Sequence, residues 1–81
     1  MILSDAVDLT VELFGFEGWD VIDSENARIG DYWIGMTACE NWAVFDKEPE
    51  GALLEVYETV ADAMAGVVAR HASDVFEEAA L

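Results

Sequence analysis

Positive charge is what this chain has least of. Its 81 residues hold Arg28, Arg70 and Lys47 against 18 aspartates and glutamates, a formal charge of −15 with histidine neutral. A surface so short of cations repels polynucleotides and anionic lipid, which argues against direct binding to either and points to basic surfaces as partners. Cysteine occurs once, at Cys39, so no internal disulfide can form and a reducing cytoplasm is the expected compartment. Histidine also occurs once, at His71, so a Cys–His nucleophile pair would have to assemble across the fold. Nothing local activates Cys39, whose neighbour Glu40 is anionic. The chain shows no repeat, no linker and no apolar run long enough to span a membrane. Met1 to Asp5 lacks the basic segment and long apolar run of a signal peptide.

What is present is apolar. Hydrophobic residues make up 54% of the chain and aromatics 11%, too rich for a disordered acidic tail. Residues 1–81 therefore read as a single folded domain with a small core. Eleven of the 18 carboxylates fall between Glu17 and Glu58, in the stretch that also carries Trp19, Trp33 and Trp42. Only Arg28 and Lys47 answer them there. Like charges at this density oppose folding, a cost that added salt reduces.

In chain order, residues 4–14 alternate like a strand but carry helix end signals. Ser4 suits an N-cap, Asp5 the positive end, and Gly15 a left-handed stop with Phe16 behind it. The polar residues Ser4, Asp5, Asp8 and Glu12 gather on one arc, with Leu3, Ala6, Val7, Leu13 and Phe14 opposite. Four strands are expected next: Trp19–Asp23, Arg28–Met36, Asn41–Asp46 and Ala52–Glu58. Gly30 and Gly35 are expected to be bulges or close-approach points, and residues 24–27, 37–40 and 47–51 turns. Thr59 to Asp62 resembles a capping box and should start a helix with Val60, Met64, Val67, Val68 and His71 inward. Asp62, Gly66 and Arg70 should face out, and Ser73-Asp74 marks either a second cap or a continuation. The expected fold is α+β in two layers: a four-stranded antiparallel meander with one helix before and one or two after.

No catalytic motif is visible, so no enzyme, cofactor or metal is expected. Asp20, Asp23, Glu25 and Asp31 span the length of a calcium loop, but Glu25 stands where such a loop requires glycine. The tryptophans are hot-spot residues in binding surfaces, yet a domain this small needs large side chains in its core, so two of the three are expected there.

The carboxylate array is the remaining candidate. Small domains stay soluble with a net charge of about 2–8, well short of this one. Carboxylates one helix turn apart, about 5.4 Å, or two strand residues apart, about 6–7 Å, approach the separation of successive phosphates along a nucleic-acid strand. Asp5, Asp8 and Glu12 make one such row, and Glu48, Glu50, Glu55 and Glu58 are expected to make another. With Asp20, Asp23, Glu25 and Asp31 they are the candidate partner-binding residues. In size, acidity and want of an active-site motif the chain resembles the small phage-encoded DNA-mimic inhibitors, including the acidic anti-CRISPR proteins. That resemblance rests on no shared motif and carries over no functional residue. It implies a non-enzymatic, monomeric or weakly dimeric inhibitor in a host cytoplasm. The implied partner is a basic nucleic-acid-binding protein such as a CRISPR surveillance complex or another defence effector. Nuclease immunity proteins and acidic antitoxins share the same physics. A halophile-type domain, acidic for solubility alone, is the other alternative.

Overall fold

The computed structural model describes residues 1–49 and 51–80, with residues 77–80 described by their backbone. Helix α1 (Leu3–Phe14) is followed by strands β1 (Trp19–Val21), β2 (Asn26–Ile29), β3 (Tyr32–Met36), β4 (Trp42–Asp46) and β5 (Leu53–Tyr57), then helix α2 (Val60–Ala80). The strands pair in chain order as an antiparallel meander, and the helices cover one of its faces. The α+β, two-layer expectation therefore holds, with five strands in place of four. Arg28–Met36 is not one strand, because Gly30 and Asp31 form a two-residue hairpin loop between β2 and β3. Gly30 adopts φ 59°, the left-handed first position that such loops assign to glycine. It is also a close-approach point, since a Cβ there would lie 3.0 Å from the Phe16 ring.

α1 stops where expected: Gly15 is left-handed (φ 70°, ψ 43°) and its N–H donates to the Val11 carbonyl at 2.8 Å. Its start differs. Ile2, not Ser4, holds the N-cap position and supplies no side-chain bond, so Ser4 lies inside the first turn. α2 starts as the capping-box pattern requires, the Thr59 hydroxyl accepting the Asp62 N–H at 3.1 Å. It then runs unbroken past Ser73-Asp74, so one helix follows the sheet.

The core lies between the layers. Leu3, Ala6 and Val7 of α1 and Val60, Met64 and Val67 of α2 close over Ala27, Ile29, Ile34 and Val44. Thr10 is buried with them, its hydroxyl satisfied by the Ala6 carbonyl one turn back at 2.7 Å. Of the tryptophans only Trp42, 8% exposed, joins this core; two were expected. Trp19 is 45% exposed on edge strand β1. Trp33 alternates onto the uncovered sheet face, beside Gly35, whose missing Cβ would meet the indole at 3.7 Å.

Gly66 and Arg70 do not face solvent as expected. A side chain at position 66 would collide with the Tyr57 ring of β5, and Arg70 Nη1 donates to the Tyr57 hydroxyl at 2.8 Å. α2 lies against both α1 and the β4–β5 edge, so it buries a wider arc than one apolar stripe indicates.

Candidate binding surface

Both arginines are spent inside the molecule. Arg28 Nη1 donates to the Gly30 carbonyl at 3.3 Å, fastening the β2–β3 hairpin from which it projects. Arg70 donates to the Tyr57 hydroxyl and the Gly66 carbonyl, and its Nη2 lies 3.7 Å from Glu55 Oε2. That is the one ion pair among the described residues. It is half exposed on the Glu55 side, so it contributes little, about 0–1 kcal/mol. Among the described residues no other carboxylate has a cation within 4 Å.

The fold sorts these carboxylates into separate places. Asp5, Asp8 and Glu12 stay together, all exposed on one side of α1. Asp23 and Glu25 occupy the β1–β2 turn, at the same end of the sheet as Glu40 and Glu58. Asp31 and Glu48 lie at the opposite end, where the Lys47 N–H donates to the Asp31 carbonyl at 2.8 Å. Asp20 sits on the uncovered sheet face opposite Arg28. Glu50 lies outside the described residues. Of the second row, read as Glu48, Glu50, Glu55 and Glu58, the described members lie on β5 and beyond its two ends. Glu48 and Glu58 flank opposite ends of β5, roughly 17 Å apart for five strand residues. Glu55 points to the helix side, towards Arg70.

Asp23 does structural work in its turn. Its carboxylate accepts the Glu25 N–H at 2.8 Å and the Asn26 side-chain amide at 3.1 Å. Those two bonds, in that order, hold its pKa below the ordinary aspartate value. Asp20, Asp23 and Asp31 are thus a face, a turn and the far end of the sheet, not a shared loop. Cys39 is exposed in the β3–β4 turn, whereas His71 stacks on Phe16 (ring centroids 4.3 Å) beside the Gly30 hairpin. A strand's length separates the two, so they form no pair.

Between the outer sides of the two helices lies an apolar groove not expected from the sequence. It measures about 380 Å³. Leu9 (45% exposed), Leu13 (65%) and Phe14 (54%) wall it on α1, and Ala65, Val68 and Ala69 floor it on α2. Leu13 and Phe14 were expected to pack inward. Leu3, Ala6, Val7 and Thr10 take the buried arc of α1 instead. A signal was available: six bulky apolar side chains in twelve residues exceed what one helix face can bury.

No protein-family model, no curated protein and no solved structure matches this chain. No helix among the described residues is long and apolar enough to cross a membrane.

Proposed function

We propose that this chain is a non-enzymatic inhibitor that binds a basic nucleic-acid-binding protein and occupies the cationic groove meant for a phosphate backbone. The observation that carries the reading is the α1 row: Asp5, Asp8 and Glu12 are exposed, share one helix side and have no cation within reach among the described residues. Carboxylates fixed on a helix are displayed without the entropy a disordered acidic tail loses on binding. Complementary charge also speeds the encounter. The likeness to DNA-mimic inhibitors makes the partner a CRISPR effector or another defence protein that grips nucleic acid. Acidity for solubility alone explains less, because such a coat has no reason to leave Leu9, Leu13 and Phe14 open beside it.

Competition tests this. A fluorescent duplex bound to a basic DNA-binding protein should be released by the chain at about 50 mM salt, and direct binding of the chain to that protein should weaken as salt rises. Asp5→Asn/Asp8→Asn/Glu12→Gln should weaken release at least fivefold, whereas Asp23→Asn/Glu25→Gln should change it little. Failure to release the duplex, or equal effects of the two variants, would sink the proposal.

A further inference from the structure

We infer that the groove between α1 and α2 is the seat of a basic amphipathic helix supplied by the partner. The inference rests on the charge-driven reading above and adds the element that is held. Both helices turn the sheet-facing side to the core, so the outward side of α2 should be polar. It carries Ala65 and Ala69 instead, with Leu9, Leu13 and Phe14 rising beside them. At 100° per residue, Asp5, Asp8 and Glu12 project within an arc of about 60° that directly adjoins Leu9 and Leu13. Asp62 borders the opposite rim, one turn before Ala65 on α2. The result is an apolar trough with a carboxylate on each bank. Its complement is a helix with apolar residues at i, i+3, i+4 and i+7 and lysine or arginine on both flanks.

Charge selects this occupant over the alternatives. A second copy seated two-fold on the groove would bring two Asp5–Asp8–Glu12 rows together, each on a body of −15. An anionic lipid surface meets the same repulsion. The uncovered sheet face, with Trp33 and Phe45, lacks the acidic banks, since its Asp20 stands opposite Arg28.

The test uses the intact chain and two labelled peptides of about 16 residues, roughly 24 Å of helix. One is leucine-faced and lysine-flanked. The other has the same composition with the order scrambled so that no apolar face forms. The ordered peptide should bind at least tenfold more tightly, and the advantage should persist at 300 mM salt, because apolar contact is not screened. Ala65→Trp and Ala69→Glu occupy or charge an exposed groove floor and should each remove the advantage while circular dichroism stays unchanged. Amide shifts on adding the ordered peptide should fall on α1 and α2. Equal binding of both peptides would overturn the groove while leaving the charge-driven reading intact. Shifts centred on Trp33 and Phe45, or a dimer that the peptide dissociates, would also overturn it. If the ordered peptide binds as described but the duplex is never released, the groove stands and the nucleic-acid-mimic reading falls.

Discussion

Tyr32 joins the core to the C-terminal half of α2. Its ring is buried among the inward residues, and its hydroxyl donates to Asp74 Oδ2 at 2.5 Å. Burial, and then the bond to Asp74, push the hydroxyl pKa upward. The sign follows from linkage. A tyrosine that stays protonated longer in the fold contributes fully below its unfolded value of about 10, and that stability is lost as pH rises further. Above pH 10 the unfolded chain gives up this proton first, so stability should fall as pH rises from 10 towards 12. Tyr57 is shifted upward too, chiefly by burial, and acts in the same direction. Urea unfolding between pH 8 and pH 12 should show the fall, and Tyr32→Phe should make it visibly shallower. At neutral pH the variant should lose about 0.5–1.5 kcal/mol for the missing hydrogen bond. An unchanged alkaline slope in Tyr32→Phe would show that this hydroxyl is not the group involved.

At the scale of elements the two helices contrast in how they begin. Thr59 caps α2 through its hydroxyl, whereas Ile2 precedes α1 in extended conformation (φ −91°, ψ 161°) with no side-chain bond to the first turn. Ile2→Ser places a hydroxyl acceptor where α1 has none. The expected gain is about 0.5–1 kcal/mol, read as a higher urea midpoint at unchanged slope; a midpoint that stays put would mean water already satisfies those amides. Thr59 and Gly15 were legible because caps and left-handed stops are local chemistry. The Gly30-Asp31 hairpin was legible too, yet easily overlooked. The inward residues run Ala27, Ile29, then Tyr32, Ile34, Met36, and the change from odd to even numbers marks a two-residue loop. The inward roles of Gly66 and Arg70 were not readable. They depend on Tyr57 reaching α2 from β5, a contact between segments that no local pattern encodes. The same holds for the carboxylates. The α1 row follows from helix periodicity alone, but the row expected from Glu48 to Glu58 needed the β4–β5 bulge and the position of Arg70 to be known.

For the molecule as a whole, charge and apolar surface oppose each other. A chain of −15 spends part of its hydrophobic stabilisation on holding its carboxylates together, with one ion pair among the described residues to offset it. The same repulsion opposes the approach of the open groove or the uncovered sheet face of one copy to another. Salt separates these effects. Raising NaCl from 20 mM to 500 mM shortens the screening length from roughly 20 Å to under 5 Å, below the separation of most of these groups. If repulsion costs about 1 kcal/mol at low salt, the melting temperature should climb by roughly 4–8 °C across that range. A domain adapted to brine would instead be unfolded at 20 mM, whereas the buried cluster from Leu3 to Val67 is expected to keep this one folded there. The same titration should shift sedimentation towards self-association at high salt, as the apolar surfaces lose their electrostatic guard. A melting temperature that stays flat, in a chain monomeric throughout, would mean that the carboxylates do not repel strongly enough to govern either stability or partner choice.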